Sequence, residues 1–215
     1  MLEATVKEAF EKVKAGFDLP TNVNLIIYKT REEASKALGR EVEPHEFAFA
    51  SFDSSNPSIT YIDENWPFKN HSMKKECLEG VLAEDFGHLQ YDFTHEEMTA
   101  IHTQPELYMH AYQFWAVSNG IEAGFGPQLL ELYSIATTKT KAIPDASVKE
   151  VIGVFPALAA LSEKYDMRQI IRKYMESLPP EIREETKKYS FLLDSKSYQN
   201  EQALIKSWQS TDKRL

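Results

Sequence analysis

Hydrophobic and polar positions follow two different spacings along this chain, and the change falls near residue 70. In the first third, "NLIIYKT" (24–30) is apolar and β-branched, which is typical of a strand in a protein core. The stretches "EFAFASFD" (46–53) and "SITYIDENW" (58–66) both alternate apolar and small or polar residues. The residues "SSNP" between them favour a turn, so the pattern predicts two antiparallel strands.

Helical spacing dominates the rest of the chain. An opening helix is predicted in "MLEATVKEAFEKVKAG", and a second one in "REEASKALGR" is expected to end at Gly39. From about residue 70 the pattern predicts about six helices, interrupted at "TQPE", "GFGP", "KAIPDAS" and "SLPPEI", where proline stands at or near the first turn of the next helix. The fold class predicted is therefore α+β, with a small mixed β-sheet in the N-terminal third and a mostly helical remainder.

The helical part after Pro144 has the character of a separate layer, with polar faces that suit solvent. This interpretation divides the chain into a first domain, residues 1–142, and a helical C-terminal layer or subdomain, residues 143–215, which is expected to pack on the first. A length of 215 residues, 42% of them hydrophobic, can bury one core with such an addition.

Composition narrows the possible partners and the compartment. A formal net charge of −9 disfavours nucleic acid as a partner, because phosphates are bound by clustered lysine and arginine. The sequence contains no apolar run near 18 residues, so no membrane span is predicted. A single cysteine, Cys77, cannot form an internal disulfide, and together with the charged opening helix this predicts a cytoplasmic protein.

One predicted helix carries polar groups on an apolar face. Residues Cys77, Val81, Glu84, His88 and Tyr91 are spaced by three or four and therefore share one side of a helix. A carboxylate and an imidazole one turn apart on such a stripe are costly to bury unless they pair with each other, with distant groups or with a cation. The simplest interpretation is a buried hydrogen-bonded pair, and the alternative is a binding site.

The stretch "VLAEDFGHLQ" (81–90) resembles the active-site helix of the zincin-type metallopeptidases, which carries His-Glu-x-x-His and typically reads "VLAHELGHLL". In this frame Glu84 occupies the position of the first metal ligand, Asp85 that of the general base and His88 that of the second ligand. Gly87 is the small residue that often precedes the second ligand. The resemblance implies a zincin-like fold, a divalent metal and the hydrolysis of peptides or proteins.

A third ligand is implied by "WAVSNGIEAGFG" (115–126), which resembles the Asn-x-Leu/Ile-Glu-Asp segment of some zincin relatives. Glu122 matches the ligand position, while the following aspartate is replaced by Ala123. The implied set of Glu84, His88 and Glu122 is compatible with zinc, and two carboxylates with one histidine also suit manganese or iron. A site altered in this way can also be empty.

The general-base position predicts reduced or lost activity. The Asp85 carboxylate is one C–C bond, roughly 1.5 Å, shorter than that of glutamate, and catalysis is sensitive to displacements of this size. The sequence therefore predicts a metallopeptidase homologue with weak activity or none. A non-catalytic binding or scaffold protein on the same fold is the alternative.

A third interpretation keeps metal binding without the zincin fold. Carboxylate and histidine recur at helical spacing in the pairs Asp85 and His88, Asp92 and His95, and Glu106 and His110. Helical bundles with two metal ions take Glu-x-x-His ligand pairs from different helices. The first two pairs lie on almost the same segment, and the early strands do not belong to such a bundle, so this hypothesis is the weakest of the three.

Overall fold

The computed structural model describes residues 2–44, 46–66, 74–94, 105–139 and 147–211. A three-stranded sheet lies in the first third, and most of the remaining described chain is helical, which confirms the predicted α+β class. None of the described helices is long and apolar enough to cross a membrane. In chain order the elements are α1 (Leu2–Lys14), β1 (Asn24–Tyr28), α2 (Arg31–Leu38), β2 (Ala48–Ser51), β3 (Ser58–Ile62), α3 (Lys74–Thr94), α4 (Pro105–Gly120), α5 (Gly126–Lys139), α6 (Val148–Gly153), α7 (Phe155–Ser162), α8 (Arg168–Ser177), α9 (Pro180–Thr186) and α10 (Glu201–Thr211).

The sheet is mixed, with strand order β1-β3-β2. Strand β1 runs parallel to β3, and β2 runs antiparallel to β3 with Ala50 opposite Ile59. Every residue of β3 is buried, as expected for the central strand, whereas β1 and β2 are the two edges. The predicted strand and the predicted antiparallel pair are therefore both confirmed.

Helix α2 lies between β1 and β2 in the chain, and local sequence signals mark both of its ends. Thr30 and Glu33 form a reciprocal capping box at its start, and Gly39 ends it with a φ of 66°. Such a left-handed residue is accessible to glycine at little cost, so the predicted end of this helix is confirmed. Under the helix lies a small core of the side chains Tyr28, Ala34, Leu38, Val42, Phe49 and Ile62.

The prediction of about six helices after the hairpin is too low, since the described residues contain eight, α3 to α10. The stretch "SVKEVIGVFPALAALSEKY" divides at Val154 into α6 and α7. Pro156 causes this division, because a proline lacks the backbone N–H and is accommodated only in the first turn of a new helix. The stretch "PEIREETKKYSFLL" also contains two helix types: it begins as the α-helix α9 and continues as a 3₁₀ segment, Lys187–Leu193.

The chain forms two compact units by packing. The first unit contains residues 1–94 and 119–132, and the second contains residues 95–118 and 133–215. In the first unit α3 packs against α1 and against β2, and in the second α7 is buried along most of its length. The boundary at residue 142, between a first domain and a helical C-terminal layer or subdomain, stays a prediction.

Candidate functional site

The zincin-like motif lies in the middle of α3, within the first unit. On the face singled out from the sequence, Cys77, Val81 and Tyr91 are buried, while Glu84 and His88 are half-buried. The apolar members of this face thus belong to the core. The two polar members lie at the boundary between the core and the protein surface. Such a position is compatible with a structural role and with a binding role.

Asp85, at the general-base position, is the buried acid of the motif, with 7% of its surface exposed. Burial raises the pKa of its carboxyl group well above the ordinary value, and the neighbouring charge of Glu84 raises it further. The backbone N–H of Ala50 donates a hydrogen bond to this carboxyl group and opposes the shift. Its second oxygen, Oδ2, is buried and has no hydrogen-bond partner among the described residues.

The hydrogen bond from Ala50 connects α3 to the outer edge of the sheet. The Ile62 N–H donates to the Phe47 carbonyl at 2.8 Å, and in an antiparallel pair such bonds recur at every second residue. Ala50 is three residues from Phe47, so its N–H points away from β3 and toward the free edge of β2. Asp85 therefore occupies a backbone donor that would otherwise be open to pairing with another strand.

A second side of α3 is packed too closely for side chains. A Cβ atom added to Gly80 would lie 2.7 Å from the backbone oxygen of Gln128, and one added to Gly120 would lie 3.1 Å from the backbone oxygen of Ala83. Both distances are shorter than ordinary van der Waals contact. Small residues at positions 80 and 83 of α3 therefore allow residues 119–132 to approach its backbone.

Gly87 belongs to the same side of the helix. The Asn119 side chain donates a hydrogen bond from Nδ2 to the Gly87 carbonyl at 3.0 Å, and Gly87 is buried. A glycine within a helix is costly relative to alanine, so a close neighbour is a common reason for its presence. Asn119 contacts the backbone of this turn and thereby holds residues 119–132 to the motif helix.

Glu79 is a buried carboxylate that the sequence analysis missed. It accepts hydrogen bonds from Lys12 Nζ at 2.6 Å and from Gln128 Nε2 at 3.1 Å. With 3% of its surface exposed, it joins α1, α3 and α5. The residues around Glu79 in the sequence do not indicate these hydrogen bonds, because the two partners of Glu79 lie 67 and 49 positions away along the chain.

Glu122, the implied third ligand, lies in a π-helical turn, Ile121–Phe125, and its side chain is exposed. Gly124 permits this turn with a φ of 95°. Within residues 2–44, 46–66, 74–94, 105–139 and 147–211, no three His, Cys, Asp or Glu side chains are grouped so that they could hold a metal ion. The ligand set of Glu84, His88 and Glu122 stays a prediction from the resemblance, and no chemical step is assigned to a metal.

The alternative two-metal hypothesis also stays untested. His95 lies outside the described residues. Glu106 forms a 3.6 Å ion pair with Lys149, and His110 is buried in the second unit. Burial lowers the pKa of His110 to about 4, and the charge of Lys149 contributes to the same shift. The imidazole is therefore neutral at pH 7.

The second unit contains a cavity that no sequence motif indicated. Its volume is about 700 Å³, and its walls come from α4, α6, α10 and the 3₁₀ segment. The apolar and aromatic wall includes Met109, His110, Val148, Ile152, Tyr189 and Trp208.

Comparison with known proteins adds no relative, since no family model, curated protein or solved structure matches the chain. The zincin resemblance therefore rests on three features of the chain itself: the motif letters of α3, the strand and hairpin that precede that helix, and the segment 119–122 that follows it.

Proposed function

We propose that this chain is a homologue of the zincin-type metallopeptidases that has reduced or lost hydrolytic activity and that binds a peptide or protein partner. The observation that carries the proposal is the environment of Asp85. A general base must reach a water molecule and a substrate, whereas this carboxyl group is buried and bound to the Ala50 N–H. The acid at the catalytic position thus serves the packing of α3 on β2.

The order of the elements supports the family part of the proposal. A strand and an antiparallel pair precede the motif helix, and β2 is an edge strand against which α3 packs. Zincin-like proteins bind an extended peptide beside the motif helix, and a peptide or protein partner of this chain would lie beside α3 in the same way. The acidic composition fits a basic partner and disfavours nucleic acid.

The proposed compartment is the cytoplasm. One cysteine in 215 residues means that the fold uses no internal disulfide, which is usual in a reducing compartment. Cys77 is buried, as expected for a small core residue.

The family part of the proposal is tested by restoring the motif with Glu84→His and Asp85→Glu. If α3 and Glu122 retain zincin geometry, two histidines and one glutamate can bind zinc. We expect zinc affinity to rise at least about tenfold over the parent, since a neutral imidazole replaces one of two repelling carboxylates. Competition against a chromophoric chelator measures this change.

Two controls make the result specific. The gain should disappear when Glu122→Gln is added to the double variant, and each variant must retain the circular dichroism of the parent. A folded double variant that binds zinc no better than the parent would show that the chain resembles the zincins in its sequence motif but not in the geometry of a zinc site.

The loss-of-activity part is tested on the parent protein with a library of unstructured fluorogenic peptides. We expect no cleavage that depends on added zinc or manganese. Chelator-sensitive cleavage that is abolished by Asp85→Asn would make the protein an active hydrolase and would overturn this part.

A further inference from the structure

The cavity in the second unit has the size and the lining of a site for a small molecule. At about 700 Å³ it falls within the range of about 300–1,000 Å³ that is usual for ligand pockets. All of its lining residues belong to the second unit, so it is separate from the motif helix and from the sheet edge. The proposed function uses none of them.

Three aromatic rings that pack at tilted angles, those of His110, Tyr189 and Trp208, form one side of the cavity. The Trp208 ring lies 5.4 Å from that of His110 and 5.7 Å from that of Tyr189, measured between centroids. Each of these residues is at least nine-tenths buried, so the rings are fixed by packing. A rigid aromatic wall favours flat, rigid ligands, because contact between two fixed surfaces costs little conformational entropy.

Met109 exposes 59% of its surface beside these rings, which is unusual for a large apolar side chain. A flexible thioether at the rim of a cavity adapts to the shape of an occupant. Gly153, at the end of α6, also lines the cavity, and a Cβ atom added there would meet no atom within 4 Å. The rim therefore has an adaptable side and an open side.

The charges around the cavity cancel. Lys149 and Glu106 pair with each other at 3.6 Å, and both side chains are more than half exposed. His110 is neutral at pH 7 and can donate or accept one hydrogen bond. Gln113 contributes an amide, which also donates to the Tyr133 hydroxyl at 2.6 Å. An ionic ligand would lose hydration without gaining an unpaired counter-charge.

We propose that this cavity binds a neutral, planar aromatic small molecule with one or two hydrogen-bonding groups. The ring system would contact the Trp208 and Met109 side chains, while His110 or Gln113 would form a hydrogen bond with the polar group.

The probe for this proposal is 1-naphthol, which is neutral. The control compound is 1-naphthalenesulfonate, which has the same ring system and a negative charge. Titration of the full chain, followed by calorimetry and by fluorescence, should show saturable binding of naphthol. We expect the sulfonate to bind at least about tenfold more weakly, on the order of 1.4 kcal/mol. Equal or tighter binding of the sulfonate would overturn the assignment of a neutral ligand.

Position 153 offers a matched pair of variants that locates the binding. Gly153→Phe should fill the open side of the rim and lower naphthol affinity at least about tenfold, while Gly153→Ala should change it less than about twofold. Met109→Asp, at an exposed position, should weaken binding about fivefold even if Gly153→Phe fails to fold. Unchanged affinity in the folded variants would place the probe elsewhere and refute the site.

The other occupant of an apolar cavity is a second copy of the chain. Sedimentation of the parent and of Gly153→Phe distinguishes this case. A dimer that Gly153→Phe dissociates, together with no naphthol binding, would assign the cavity to self-association and overturn the proposal.

Discussion

The two units of this protein differ in what their buried and half-buried polar groups contact. In the first unit, Asp85 and Asn119 contact backbone atoms of neighbouring segments, and Glu79 contacts two side chains. In the second unit, His110 and Gln113 line a cavity of about 700 Å³. The first unit, which carries the motif, thus uses Asp85 for packing, while the second unit contains a cavity large enough for a ligand.

This difference teaches that a buried, perturbed acid is evidence of function only when it faces space that a ligand can enter. The pKa of Asp85 is raised and that of His110 is lowered, and burial is the main cause of both shifts. Such shifts occur at active sites and in structural contacts alike. The atoms opposite the group decide between the two interpretations.

The largest expected difference between the two units is the change in stability when a glycine is replaced by alanine. Gly80→Ala should lower the free energy of unfolding by about 3 kcal/mol, because its Cβ would lie 2.7 Å from a backbone oxygen that cannot move alone. Gly153→Ala meets no atom within 4 Å and should raise stability by up to about 1 kcal/mol, since alanine favours a helix. Urea unfolding measures both, and equal effects would contradict the close packing of α3.

The next effect concerns the charge of Asp85. Its folded-state pKa is raised, so the folded protein holds the proton more tightly than the unfolded chain, and stability falls as the pH rises above the ordinary value. Asp85→Asn keeps an acceptor for the Ala50 N–H without this cost. We expect it to stabilise the protein at pH 7 by on the order of 2 kcal/mol, and by little near pH 3.

Chemical unfolding at pH 3, 5 and 7 gives this comparison, with Asp18→Asn, at an exposed position of the same unit, as the control. A parent that is more stable than Asp85→Asn at pH 7 would mean that the ionised carboxylate is required, as it would be beside a cation.

His110 should produce a pH effect of the opposite sign. Its pKa is lowered from 6.5 to about 4, so the unfolded chain binds a proton that the folded protein does not, and stability is lost as the pH falls below 6.5. Between pH 8 and pH 5 this loss is about 2 kcal/mol, and His110→Phe should remove it while keeping a ring beside Trp208. Thermal unfolding across this range tests the prediction, and an unchanged slope in the variant would refute it.

The smallest expected effect is the loss of stability when an N-cap side chain is removed, and it should be the same in both units. Thr30 and Ser147 each form a capping box, at the start of α2 and of α6. Thr30→Ala and Ser147→Ala should each cost about 1 kcal/mol, because a cap depends on its own helix rather than on its surroundings. If urea unfolding gives costs that differ more than about threefold, one cap also supports tertiary contacts.

Local structure was determined by the sequence on its own. The strands, the turn at "SSNP" and the end of α2 at Gly39 were predicted correctly because their signals lie within a few residues of each other. The division at Val154 was missed although Pro156 marks it, since the apolar spacing continues across the break.

The use of each polar group was decided by the tertiary structure. Whether Asp85 meets the Ala50 N–H depends on the register of β2 against β3, which sets the direction of that amide. The cavity likewise exists only because α4, α6 and α10 meet, although they lie far apart in the chain. Spacing within one helix shows which side chains share a face, and only the packing of distant segments determines whether that face meets a backbone or a space.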